Sequence, residues 1–348
     1  MRVIKFIIAV LLYYSGLLDL LLYLDEKRGR KPLILLNHRV LDIDDPEMLY
    51  SIPGMTITPA VLEAQLNFLK KRFKILSTGS LQELLEKGMP LPHRSVLITF
   101  DDGWRDNYVN ALPILKAAGV PAIIFITAGL VETADMVWFN KAIMIFKSGK
   151  IEPEKIMSIV RSICRDPAPP AELPEDIVGF VDMLKPYNIK VINEVLDRLF
   201  KESCLEKNNN SDYRNILSWD EIAEMKSAGI EFGSHGMSHG ILPLLGREDI
   251  KWELAQSKKI MESKIGSAID TFAYPNGDYN SEIIDITGEA GYKCAFGTEI
   301  GAKDAYKNRF TLPRLGIHTG ACVGPRGNFS KAIFMLKISG FQKFFKGK

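Results

Sequence analysis

Two pairs of residues in this chain have the types and spacing of a hydrolytic centre. Asp101 and Asp102 stand together at the end of the apolar run VLITF, and Gly103 follows them. His235 and His239 lie four apart in EFGSHGMSHG. Successive side chains of a regular strand point to opposite faces, so two adjacent acids part company unless the strand stops at Gly103. Residues four apart on a helical turn are neighbours, and two imidazoles so placed can converge on one divalent ion. Gly233, Gly236 and Gly240 argue against a long helix here and for a tight turn after a strand. Two histidines and one carboxylate leave coordination positions open, as hydrolytic metal sites require. On this reading Asp102 is the third ligand and Asp101 the base for a water whose proton the ion has loosened. The plainer alternative is a pair of surface histidines in a Gly-rich loop.

These residues need a scaffold, and the chain offers an α/β one. Seven short apolar runs recur: LILLNHRV, VLITFDDG, AIIFITAG, GIEFGSH, AIDTFAYP, CAFGT and FTLPRLGI. Helical patterns separate them. One, TPAVLEAQLNFLKKRF, has Pro at its first helical position. Others stop at Ala-Gly. Near-continuous apolar strands alternating with helices imply a parallel sheet buried on both faces. Asn37, His38, Asp101, Asp102, His235, Asn276 and His318 all fall at the C-terminal ends of the runs, the active face of a βα barrel. Of five histidines, His93 alone lies elsewhere. Residues 138–215 read as a helical insertion, with a proline cluster and an Asn run as loops.

Composition narrows the classes. The chain has 348 residues, is 47% hydrophobic and 25% charged, and carries a net charge of +2. That balance gives no electrostatic case for nucleic acid. Four widely spaced cysteines form no CxxC, which argues against a thiolate metal site and for buried apolar thiols.

The termini are apolar. Residues 3–24 have the length of a membrane span but carry Lys5 and Asp19. No small-residue cleavage site follows, so a removed signal peptide is not expected. The stretch reads as a helix in or on a membrane interface, or as a helix docked on the main domain. If it spans, the basic DEKRGRK behind it favours a cytoplasmic main domain. Residues 321–348 read as a basic amphipathic tail, with a second membrane-facing helix expected from residue 330 onward.

Taken together, the motifs resemble the polysaccharide deacetylase family, the NodB-homology carbohydrate esterases of family 4. TFDDG resembles its first motif, which implies Asp101 as general base and Asp102 as metal ligand. SHGMSH resembles its second, implying His235 and His239 as ligands and Ser238 as a support for the loop. FAYPNG is similar to the third, which implies Pro275 and the Asn276 N–H at the oxyanion. LGIHTG is similar to the last, implying His318 as general acid. The resemblance covers roughly residues 33–318 and implies a distorted (β/α)7 barrel, a divalent metal, zinc above others, an N-acetylated polysaccharide substrate and the cell envelope. The chain departs from the pattern at Ala273, where the family has an arginine holding the catalytic Asp, and Arg314 is the substitute expected here. It departs also at Gly236, usually Ser or Thr, at Asn37, usually Tyr, and in lacking an evident Asp-x-Asp-Trp motif. His38 is a candidate for the substrate groove and Trp104 for stacking on a sugar ring, or for packing under its loop. Trp138 and Trp219 read as structural. The alternatives to a glycan de-N-acetylase are a hydrolase of small non-sugar amides and a glycan-binding module without catalysis.

Overall fold

The computed structural model describes residues 2–27, 32–205, 215–298 and 308–341. Seven parallel strand positions follow one another in chain order around a sheet. They are Leu33–Asn37, Ser95–Phe100, Ile123–Ile126, Glu231–Ser234, Thr271–Ala273, Cys294–Gly297 and a last segment of two short strands, Leu312–Pro313 and Leu315–Gly316. In that segment Leu312 and Pro313 pair with Phe296 and Gly297, whereas Leu315 and Gly316 pair with Leu35 and Leu36. One stretch of chain therefore joins both ends of the sheet and nearly closes a barrel, with Arg314 between its halves. The strand Lys74–Ile75 adds to Ser95–Phe100 off this path. All seven runs expected from the sequence are present, in the (β/α)7 arrangement.

The strands are apolar throughout because the sheet buries both faces. One set of side chains, including Ile34, Leu97, Phe125, Ala273, Phe296 and Leu312, forms a barrel-interior cluster. The opposite set, including Leu35, Ile98, Phe100 and Ile124, joins the larger core under the helices. Gly233 lets the layers meet: a Cβ there would come within 2.5 Å of the Phe125 ring and of Thr271 Oγ1.

The insertion comprises four helices, Trp138–Ser148, Pro153–Ile163, Ile177–Leu184 and Ile189–Glu202. The last two break at Pro186, which cannot continue a helix. Among the thiols Cys204 is exposed, against expectation, and Cys164, Cys294 and Cys322 are buried.

The termini differ from their simplest reading. The N-terminal stretch is two helices, Arg2–Tyr14 and Leu17–Lys27, bent by 72° at Ser15–Gly16. No single described helix is long and apolar enough to cross a membrane. Asp19 is held by Arg72 at 2.5 Å and Arg94 at 2.7 Å, so the pair is tied to the barrel domain. The C-terminal helix Lys331–Ile338 is not membrane-facing. Ala332, Ile333, Phe334, Met335, Leu336 and Ile338 are all buried, and the first helix packs against it. Residues 342–348 of the expected tail lie outside the described residues.

Candidate active site

Asp101 and Asp102 emerge from the central strand Ser95–Phe100. Alternation sends Asp101 inward above Thr99 and would send Asp102 out to the helices. The chain breaks the alternation at Asp102, whose φ is +73°, and Gly103 follows at +80°. A left-handed aspartate is uncommon and costs conformational energy, and such residues gather where geometry serves function. His239 and Asn276 share the feature, both with φ of +59°. Three positions singled out by chemistry are thus also backbone exceptions.

Asp102, His235 and His239 converge. Their candidate ligand atoms lie within 4.8 Å of one another, and all three residues are buried. Asp102 Oδ1 is 3.4 Å from His235 Nε2 and 3.3 Å from His239 Nε2. Ligands at 2.0–2.1 Å in a tetrahedron are about 3.4 Å apart, so the spacing fits a zinc-sized ion. The buried Oδ1 has no hydrogen-bond donor among the described residues, which leaves it as a ligand atom. His235 Nδ1 lies 2.7 Å from the Ala273 carbonyl. Donation there puts the proton on Nδ1 and leaves Nε2 free to coordinate. These residues therefore fit a divalent metal.

Burial pushes the Asp102 carboxyl up, but the facing His235 and His239 imidazoles outweigh it and hold it well below the usual carboxylate range. Burial likewise opposes ionisation of Asp101, and Arg314 and His235 more than offset it. His235 loses from burial, yet Asp101 and Asp102 raise it above the ordinary imidazole value.

Arg314 is where the family's third-motif arginine would be needed. Its Nη1 and Nη2 donate to Asp101 Oδ1 and Oδ2 at 2.6 and 2.7 Å, a bidentate pair that is almost wholly buried. Nη1 also reaches Thr99 Oγ1, and Nε reaches the Gly297 carbonyl, each at 3.3 Å. Ala273 sits in the barrel interior, where a small side chain leaves room for a guanidinium arriving from the closing strand.

The remaining candidates divide. Pro275 and Asn276 form a short turn just after the strand Thr271–Ala273, at the same rim as the cluster. The Asn276 side chain donates to Asp278 at 2.6 Å. The next helix, Ser281–Glu289, is capped by Asn280. His38 lies in the field of Asp102, Asp101, Arg314 and His235, with burial the stronger influence and its pKa lowered. Among the described residues His318 makes no hydrogen bond or ion pair with the cluster. It caps a short 3-10 turn, and apart from burial the groups acting on it are Lys337 and Lys5, both cations and both remote from the acids in sequence. Ile317 N–H donates to the Leu36 carbonyl at 2.8 Å, so the closing segment stays beside Leu33–Asn37 as far as His318. Trp104 is 1% exposed and cannot stack on a sugar. Its indole Nε1 donates to Asp102 Oδ2 at 2.8 Å.

Glu253 was not legible as a site residue. It is a buried acid on the helix Arg247–Ile265, and it accepts from the backbone N–H groups of Met237 at 2.6 Å and Ser238 at 3.1 Å. Ser238 Oγ bonds it too. Ser238 therefore does steady the histidine loop, through Glu253. A Cβ on Gly236 would come 2.9 Å from Glu253 Oε2, which accounts for Gly where the family has Ser or Thr. Nothing in the helix pattern around Glu253 distinguishes it from a solvated acid.

A nearly closed parallel α/β barrel with an Asp–His–His cluster and a second, arginine-held acid at the C-terminal strand ends defines a class of hydrolytic barrels. The chain belongs to the polysaccharide deacetylase family, whose model matches residues 88–165 and 166–295, more than half of the sequence. It is 24% identical over 227 residues to a Bacillus subtilis protein named as a polysaccharide deacetylase, YxkH, covering 65% of this chain and 53% of that protein. It is 33% identical over 70 residues to the poly-β-1,6-N-acetyl-D-glucosamine N-deacetylase of Escherichia coli, covering 20% of this chain and 10% of that enzyme. The chain thus matches about half or less of these relatives' length. Among solved structures, the deacetylase PplD of Streptococcus pyogenes superposes with a TM-score of 0.56 at 19% identity, covering 85% of this chain and 96% of that one. IcaB from Ammonifex degensii gives 0.51 at 18% identity, covering 90% and 97%. Both similarities bear on the fold.

Proposed function

We propose that this chain is a metal-dependent deacetylase that hydrolyses the N-acetyl group of amino sugars in a polysaccharide, with zinc as the metal. The observation that carries the reading is the convergence of Asp102, His235 and His239 beside an Asp101 clamped by Arg314. The metal would supply Lewis-acid polarisation and a more acidic water. Asp101, kept ionised by Arg314, would take the proton of the attacking water. The backbone N–H of Asn276, in the turn begun by Pro275, would face the developing oxyanion. His38 is the imidazole outside the ligand set that shares the field of both acids, and it would deliver the proton to the departing amine. The poly-N-acetylglucosamine deacetylase among the relatives supports an N-acetylglucosamine polymer as substrate. A merely glycan-binding module has no need of the buried Asp101–Arg314 pair. Acetate release from N-acetylglucosamine oligomers, compared with small non-sugar amides and repeated with chelator, tests the reading. Asp101→Asn is expected to bind metal and release no acetate; an active variant overturns the base assignment.

We further propose that the N-terminal helix pair rests on a membrane surface without crossing it. Ile4, Ile7, Leu11 and Tyr14 form one exposed face of the first helix, and Leu20 and Leu24 are exposed on the second. Apolar side chains at helical spacing, with Lys5 and Lys27 beside them, suit an interfacial helix. Co-sedimentation with anionic vesicles is expected, and Ile7→Asp with Leu11→Asp is expected to abolish it. Equal sedimentation of both proteins overturns this reading.

A further inference from the structure

The two ligands His235 and His239 are oriented by different means. The His235 ring is fixed by its Nδ1 contact with the Ala273 carbonyl at 2.7 Å. His239 Nδ1 is buried and has no hydrogen-bond partner among the described residues. What meets the His239 ring is Phe139, edge-on, with centroids 5.3 Å apart and planes at 73°. Phe139 also packs on Trp104, centroids 6.2 Å apart. Trp104 in turn donates to Asp102 Oδ2 at 2.8 Å. An indole can only donate, so this bond leaves Asp102 Oδ1 as the oxygen turned toward the histidines.

The indole is itself held. Arg39 lies over it, its Cζ 4.3 Å from the ring centroid. The guanidinium is pinned by Asp106 at 2.9 Å, Glu47 at 3.1 Å and Ser51 at 3.1 Å. Phe139 belongs to the first helix of the insertion, Trp138–Ser148. The far end of the insertion closes on the same loop: Leu217 N–H donates to the Gly103 carbonyl at 2.9 Å, and Arg105 N–H to the Asn215 carbonyl at 2.7 Å. Both ends of the insertion therefore meet the segment that carries Asp102.

We propose that Trp104 and Phe139 are positioning residues for the metal centre, and that the helical insertion acts through them to set metal affinity. Trp104 selects the coordinating oxygen of Asp102. Phe139 does by packing for His239 what a carbonyl does for His235. The inference rests on Asp102, His235 and His239 being the ligands. Partners one step removed from a metal typically change affinity ten- to a hundredfold when lost.

The test is a competition titration of metal-free protein with zinc and a chromophoric chelator, alongside the visible spectrum of the cobalt form. Trp104→Phe keeps an aromatic ring between Arg39 and Phe139 and removes the donor. It is expected to weaken zinc by about ten- to a hundredfold and to alter the cobalt spectrum, with the melting point of the metal-free protein within about 4 °C of wild type. Phe139→Leu keeps the Trp104 hydrogen bond, and its cobalt spectrum is expected to broaden as His239 gains freedom. Wild-type affinity and spectrum in both variants overturn the inference while leaving the metal site standing. A wild-type protein that takes up neither zinc nor cobalt overturns the ligand assignment, and this inference with it.

Discussion

Arg314 and Asp101 lie 213 residues apart in sequence and form a buried, two-pronged ion pair at 2.6 and 2.7 Å. The guanidinium stands at the one point where the closing segment of the barrel lets go of one neighbour strand and takes up the other. Removing it leaves a buried carboxylate without its partner. Arg314→Ala is expected to cost about 3–5 kcal/mol of stability in denaturant titration and to lower kcat/KM by at least about a hundredfold.

The same pair sets a pH dependence. The depressed Asp101 pKa contributes stability that is present above the ordinary Asp value and is lost as pH falls through the folded value. Without Arg314, burial acts with less opposition and the carboxyl rises. In Arg314→Lys, which keeps the charge and loses the fork, the acid limb of the kcat/KM profile is expected at higher pH than in wild type. An unmoved limb would show that Arg314 does not tune the base.

His38 and His318 separate cleanly by experiment. His38→Ala is expected to lower kcat by about a hundredfold or more with zinc affinity retained. His318→Ala is expected to change kcat little, because the charges it meets are Lys337 and Lys5. The reverse ranking in steady-state kinetics would return the acid role to His318.

Metal uptake should consume a deprotonated His235. Its pKa is raised above 6.5 by Asp101 and Asp102 against the pull of burial. As pH falls through that value the proton competes with the metal, and affinity is expected to drop about tenfold per unit. Asp102 is already ionised throughout this window. Titration of metal-free protein between pH 6 and pH 8 checks the slope, and a flat response excludes His235 as a ligand.

Gly236 carries a different kind of constraint. Its φ is +79°, and a Cβ would press on a Glu253 carboxylate already fixed by Met237 and Ser238. Gly236→Ala is expected to destabilise the metal-free protein by about 1–3 kcal/mol. A wild-type melting curve would show that the loop yields at no cost.

The sequence alone determined the seven strands, the helical insertion, and the four residues Asp101, Asp102, His235 and His239. Each is written in a short window: strands as apolar runs bounded by Gly or Pro, and the site as paired acids and spaced histidines. It also raised Arg314 as the replacement for the arginine missing at Ala273. It could not place Trp104 beneath Asp102, connect Phe139 to His239, or find Glu253 behind the histidine loop. It sent His318 to the site because strand ends in a barrel point there, whereas the charged groups acting on its ring are Lys337 and Lys5. Those matters depend on how separate elements pack: the insertion helix on the Trp104 and His239 loops, and the helix of Glu253 on Met237 and Ser238. Local periodicity encodes which face a side chain takes, but not which distant partner waits on that face.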